Sequence, residues 1–333
     1  MEPSAKVAVI GVGGTIASIG RDSLDVAAYA DTRRKHEVGA LLAAFPELAS
    51  AARLLPVPYR AVGSPAIGPR EWLELADLVG RTARDHPDLD GIVLTHGTGT
   101  LEETAYFLNL VLKVAIPVVL VGAQRPASAL SSDAGMNLLA AVRVAAAPAS
   151  RGLGVLVVAN DEIHAAREVV KTSTMRLDAF ASPDFGALGH ADPDRVAYYR
   201  RPVRRHAPDT PFAVTATTAL PRVDIAFAHA GADGVAVEAF VGAGARGIVV
   251  AGILPSSAPP AMLSALNAAV AQGVVVVHGA RSGSGRLVPV RAGRAEGAVL
   301  ADNLPPTKAR ILLMLALTLT SDRDEIQRLF ETV

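Results

Sequence analysis

Continuous apolar, β-branched runs of strand length recur along the chain, and they constrain its fold more than any other feature. They cover Lys6–Val12, Gly91–Thr95, Pro117–Gly122, Gly154–Val158, Val223–Ala228, Gly247–Val250 and Val274–Val277. Unbroken rather than alternating apolarity predicts strands buried on both faces, as in a parallel sheet. Helical spacing lies between them. Glu71–Arg84 puts Trp72, Leu75, Ala76 and Val79 on one face, and Leu101–Lys113 and Asn137–Ala146 read the same way. Strands alternating with helices predict an α/β fold. At roughly 100–200 residues per domain, 333 residues leave room for two domains. The rhythm breaks over Tyr198–Pro221, which holds four prolines, four arginines and His206. The expected organisation is a large N-terminal domain, 1–200, with a mainly parallel sheet flanked by helices. A linker, 201–221, and a smaller C-terminal α/β domain, 222–333, follow it.

Composition removes several classes of function. Basic and acidic residues balance at 32 each, which argues against a nucleic-acid surface. Aromatics are 4% of the chain, too few for single-strand stacking platforms. Cysteine is absent, which excludes disulfides, a thiol nucleophile and thiolate metal sites. The longest clean apolar run, Ile311–Leu319, is too short to span a membrane. Val7–Ile19 is apolar but contains Gly11, Gly13, Gly14 and Thr15, and only Lys6 opposes Glu2 before it. It reads as a buried first strand rather than a secretory leader, so a cytoplasmic location is expected.

In open α/β sheets, ligands bind beyond the carboxyl ends of the strands. The first strand runs into Gly11-Val12-Gly13-Gly14-Thr15-Ile16-Ala17-Ser18. A dinucleotide fingerprint would need a third glycine where Ile16 stands, so this loop offers a hydroxyl rather than a phosphate cradle. The strand at Gly91 runs into Thr95-His96-Gly97-Thr98-Gly99-Thr100, and then Glu102 and Glu103 suit the positive end of a helix. Each threonine taken alone reads as turn or capping chemistry. Two hydroxyl-rich loops on neighbouring strands read as more than that. Lys171 follows Val169-Val170, and apolar surroundings lower a lysine's pKa toward that of a usable base. By itself it reads first as a solvated surface lysine. His164 has no second histidine at metal spacing, so no metal site is expected.

Taken in order, Val7–Ala17, Thr95–Leu108, Val121–Pro126, Ser132–Leu138, Val155–Asn160, Ala165–Thr174, Asp178–Gly189 and Lys308–Leu317 resemble the bacterial-type L-asparaginases and their glutaminase-asparaginase relatives. The run Thr95-His96-Gly97-Thr98 followed by Leu101-Glu102-Glu103-Thr104-Ala105-Tyr106-Phe107-Leu108 is the most specific part. The resemblance implies a large and a small α/β domain, a homotetramer built from intimate dimers, no cofactor and a small-molecule amide substrate, nominally L-asparagine. It implies catalysis by a threonine hydroxyl. Thr15 matches the loop nucleophile, Thr98 the second catalytic threonine, and Lys171 the lysine that activates it. Gly63-Ser64 matches the holder of the substrate carboxylate, and Tyr29 fits a tyrosine of the mobile loop after the first threonine.

The departures are as informative as the matches. Gly99 stands where the family has an aspartate that grips the substrate's ammonium and bonds the lysine. Pro65 follows Ser64 where glutamine is common, and a proline side chain can neither donate nor accept. Gly252–Ser257 replaces a segment that in relatives sends an asparagine to the partner's site. No counterpart of the small-domain glutamate stands out near Arg281–Arg291. Asp133 is the nearest acid by motif. The expected consequence is weak binding of a free α-ammonium and a lysine with a lower pKa. The reaction is then directed to amides that lack that ammonium. A catalytically silent small-molecule binder is the alternative from another class.

Overall fold

The computed structural model describes residues 4–333. They form two units. Residues 4–210 and 214–216 make the first, and 211–213 with 217–333 make the second.

The first unit is built on an eight-stranded sheet of order β10-β9-β6-β5-β4-β3-β1-β2. Its strands are β1 (Lys6–Gly13), β2 (Arg53–Val62), β3 (Gly91–Thr95), β4 (Val118–Val121), β5 (Val155–Ala159), β6 (Glu162–Ala165), β9 (Gly189–Ala191) and β10 (Val196–Tyr198). Strands β2, β1, β3, β4 and β5 run parallel, and β6, β9 and β10 continue the sheet antiparallel. A separate two-stranded ribbon pairs β7 (Val170–Lys171) with β8 (Phe180–Ala181). The helices are α1 (Val38–Ala43), α2 (Pro69–Asp85), α3 (Leu101–Val111) and α4 (Ala134–Ala146). Val7, Val9, Val93, Val119, Val121, Leu156 and Val158 share one core with α1 and α4. The alternate residues Ala8, Ile10, Ile92, Leu94, Leu120 and Val157 are equally buried. Both faces are therefore covered, which is why these strands read as unbroken apolar runs.

Strand β2 was not legible as an apolar run. Its exposure alternates and it carries Pro56 and Pro58. It lies at the sheet edge, where a missing N–H costs no ladder bond. Helix α4 begins at Ala134, ahead of the apolar spacing, because Ser132 Oγ accepts the main-chain N–H of Ala134 at 3.1 Å. Helix α2 opens with Pro69 at its first turn and Glu71 accepting the N–H of Gly68 at 3.1 Å.

The second unit holds a four-stranded parallel sheet of order β11-β12-β13-β14. These are Val223–Phe227, Gly247–Gly252, Val275–Ala280 and Val299–Leu300. Its helices are α5 (Val235–Gly242), α6 (Pro260–Ala271), α7 (Pro306–Ala316) and α8 (Arg323–Thr332). Val237 of α5 and Met262 and Leu266 of α6 close a core over Ala226, Ile248, Val250 and Val276. His278 is buried within β13. Its Nδ1–H donates to Ser256 O at 3.0 Å, and its Nε2 accepts from Ala295 N at 3.2 Å. Among the described residues no helix is long and apolar enough to cross a membrane.

Candidate active site

Four loops follow the carboxyl ends of β1 to β4. Glycine is required at the first. Gly14 has φ of +83°, and a β-carbon there would lie 2.3 Å from the main-chain nitrogen of Gly97. Its N–H donates to Val62 O at 3.0 Å, so the loops after β1, β2 and β3 meet at this point. Thr15 follows in a short 3-10 turn and is half-buried. Its Oγ1 is 2.8 Å from the hydroxyl of Tyr29. The loop that carries Tyr29 is tied at its base, with Ile19 N donating to Arg34 O at 2.9 Å and His36 N to Ala17 O at 2.7 Å. It is also tied at its rim, where Leu130 N donates to Ser23 O and Gly20 N donates to Ser128 Oγ, both at 2.8 Å.

The loop after β3 is set by a chain of buried hydrogen bonds. Trp72 Nε1–H donates to Thr104 Oγ1 at 2.9 Å. The threonine hydrogen then goes to His96 Nε2 at 3.0 Å, and His96 Nδ1 reaches Gly97 O at 2.9 Å. A carbonyl only accepts, so Nδ1 carries the proton, and a ring kept neutral by burial leaves Nε2 to accept from Thr104. Burial holds the His96 pKa down at about 4, with the Gly97 carbonyl opposing that shift. His278 is likewise lowered to about 4 by burial. An unfolded histidine titrates near 6.5. Between those values the unfolded chain holds more protons than the folded one, so stability falls as pH drops. The expected loss from pH 7.5 to pH 5 is about 2 kcal/mol per histidine. Urea midpoints across that range measure it, and a flat profile would contradict it.

Thr98 is 7% exposed. Its methyl rests over Gly122, where a β-carbon would approach it to 2.8 Å. Lys171, on the β7 ribbon, donates from Nζ to Thr98 Oγ1 at 2.7 Å and to Gln124 Oε1 at 3.0 Å. The main-chain N–H of Lys171 donates to Glu102 Oε2 at 2.5 Å. Burial lowers the lysine pKa, and the Glu102 carboxylate acts weakly the other way. Ser64 sits just after Gly63, beside the same loop. A β-carbon on Gly97 would come within 2.7 Å of Ser64 Cβ, and one on Gly99 within 2.8 Å of Ser64 Oγ. Thr100 does not cap α3. Its hydroxyl donates instead to Ser64 O at 2.9 Å.

The structure thus pairs Thr98 with Lys171 and Thr15 with Tyr29, on loops that touch at Gly14 and Gly97. It sets Ser64 against Gly99, which is exposed and carries no acid. Asp133 is committed elsewhere. Its oxygens accept from Gln124 N and Arg125 N at 2.9 Å and from Asn137 Nδ2 at 3.0 Å. His164 is buried against Ser182 Oγ at 3.0 Å. Sequence reasoning missed Gln124 and the contact from Glu102 to Lys171. Gln124 lies just beyond the carboxyl end of β4, where the same strand-end rule would have pointed.

Comparison with known proteins gives consistent results. A family model described as "Asparaginase, N-terminal" matches residues 6–204, and one described as "Glutaminase/Asparaginase C-terminal domain" matches residues 222–330. The chain is 39% identical to a glutaminase-asparaginase of Pseudomonas fluorescens, over 98% of this chain and 90% of that one. It is 40% identical to a probable periplasmic L-asparaginase of Haemophilus influenzae, over 98% and 92% of the two chains. The crystal structure of a probable cytoplasmic L-asparaginase from Campylobacter jejuni superposes with a TM-score of 0.93 at 37% identity. That match covers 99% of this chain and 100% of the other.

Proposed function

The chain belongs to the asparaginase family and is an amidohydrolase of that family, and from this premise we propose that it hydrolyses the side-chain amide of L-asparagine to aspartate and ammonia. One observation carries the reading: a lysine amine with a lowered pKa lies 2.7 Å from a buried threonine hydroxyl. In the proposed mechanism Thr15 Oγ1 adds to the amide carbon, and its proton passes by way of Tyr29 to the departing nitrogen, which leaves as ammonia. Neutral Lys171, acting with Thr98, then takes a proton from the water that cleaves the acyl-threonine ester. The water oxygen ends in the carboxylate product, and the Thr15 hydroxyl is restored. Ser64, beside Gly63, is assigned to the substrate's α-carboxylate.

A specific observation favours a second reading. Gly99 stands open beside Ser64 and brings no carboxylate to the place where an ammonium would sit. An amide whose α-amino group is absent or acylated leaves no cation unpaired there. The test is ammonia release from L- and D-asparagine, L-glutamine, N-acylasparagine, succinamate and cyclic imides, with Thr15→Ala as the blank. Gly99→Asp needs only a turn of the Ser64 side chain. It is expected to raise kcat/KM for L-asparagine about tenfold, since one charge-assisted hydrogen bond contributes roughly 1.5 kcal/mol. Micromolar KM for L-asparagine with no gain from Gly99→Asp would refute the second reading. A folded protein silent on every amide would refute both and leave a small-molecule binder.

The proposed assembly is a cytoplasmic homotetramer of intimate dimers, with residues 1–200 as the catalytic domain. The Campylobacter relative is described as cytoplasmic and the Haemophilus one as periplasmic. Light scattering on the purified protein tests the stoichiometry.

A further inference from the structure

We infer that Gln124 is a positioning residue for this reaction: its side-chain amide holds the Lys171 amine in register with Thr98. The inference rests on the proposed role of Lys171 as base. It is carried by the bonding of one buried amide, which is 8% exposed. Gln124 Nε2 donates to Arg176 O at 2.9 Å and to Thr174 O at 3.3 Å. Both partners are carbonyls and only accept, so the NH2 group must face them and Oε1 must face Lys171. A flipped amide would set oxygen against two carbonyls and NH2 against the amine. The glutamine main chain is fixed as well, because its N–H donates to Asp133 Oδ2 at 2.9 Å. Oε1 is therefore an acceptor of fixed position, 3.0 Å from Nζ.

A neutral amine has two hydrogens and one lone pair. When one N–H goes to Oε1, the lone pair can face Thr98 Oγ1, which lies 2.7 Å away on the other contact. A carboxylate at this place would orient the amine equally well, but it would also hold it charged. An amide orients without adding charge. The same glutamine clips the main chain at 174 and 176 to the end of β4. It thereby fixes the segment that carries the lysine as well as the amine itself.

The test uses Gln124→Met and Gln124→Glu in the full-length enzyme, with thermal melts to establish folding. Gln124→Met removes the acceptor and keeps the bulk. It is expected to lower kcat about tenfold with KM within twofold, the loss of one hydrogen bond to a charged or polar group. Gln124→Glu keeps the acceptor and adds charge. It is expected to move the acid limb of the kcat–pH profile alkaline by about one unit or more. The pH dependence with which an amine-acylating reagent labels Lys171, read by mass spectrometry, is expected to shift the same way without any turnover. A merely structural glutamine would move neither profile. Folded variants with an unshifted limb, unshifted labelling and unchanged kcat would overturn the inference. Activity retained in Lys171→Met would instead overturn the role of Lys171, whatever the Gln124 variants do.

Discussion

Lys171→Met is expected to lower kcat for amide hydrolysis by about 10³-fold, the middle of the range for a positioned general base. Methionine keeps the unbranched stem while removing the amine. The Thr98 hydroxyl then loses its partner at 2.7 Å, and Gln124 Oε1 loses its donor at 3.0 Å. KM is expected to change little, because the lysine faces threonine and glutamine rather than the substrate carboxylate. In the wild type only the neutral amine can accept a proton. Burial favours that form, so kcat should rise with pH and level off below the ordinary lysine value. The variant should lose that limb. Steady-state ammonia release between pH 6 and 10 measures both effects. A variant with full kcat and the same pH profile would remove Lys171 from the chemistry.

Gly14→Ala is expected to cost activity by about 10²-fold or more, through misplacement of reacting groups by an ångström or so. Two independent costs act at this position. The φ of +83° strains any residue with a β-carbon, and the added atom would sit 2.3 Å from Gly97 N. The obstacle is backbone, so it cannot turn aside as a side chain would. Relief requires the Thr15 and Thr98 loops to separate. Gly39→Ala is the control. Gly39 lies in α1 with open space around it, and alanine there is expected to stabilise by about 0.5–1 kcal/mol. Melting curves of the two variants should move in opposite directions, and only Gly14→Ala should impair turnover.

Much of the fold was written in local pattern. The central strands announce themselves because a parallel strand covered on both faces has little room for polar residues, and β1 beyond Lys6, β3, β4 and β5 are buried throughout. Strand β2 hid because an edge strand exposed on alternate residues can hold Pro56 and Pro58. The short antiparallel strands β6, β9 and β10 are too brief to imprint a period on the sequence. Within the site, Thr15 and Thr98 were legible from their places after strands. Lys171 was legible mainly through family resemblance. Gln124 was missed although its place just beyond β4 pointed to it, and the contacts of Gln124 and Glu102 with the lysine, across 47 and 69 residues, leave no local pattern. Glu102 looked like an ordinary helix-start acid, and its contact with the Lys171 main chain depends wholly on tertiary packing. Asp133 shows the converse, because its motif position suggested an available carboxylate while the fold uses every contact to shape a turn.

The hydrogen-bond chain behind Thr98 has an optical consequence. The chain contains one tryptophan, Trp72, and its indole N–H is the first donor of that chain. The ring stacks on Phe107 at 5.4 Å, shielded from solvent. Intrinsic fluorescence is therefore a single-site signal, two hydrogen bonds from the imidazole that sets the Gly97-Thr98 peptide. Emission wavelength and lifetime follow the polarity around that indole, so the native protein carries an unlabelled reporter of the loop at Gly97-Thr98. Stopped-flow mixing with an amide can time the loop's response against ammonia release, with no dye and no added mutation.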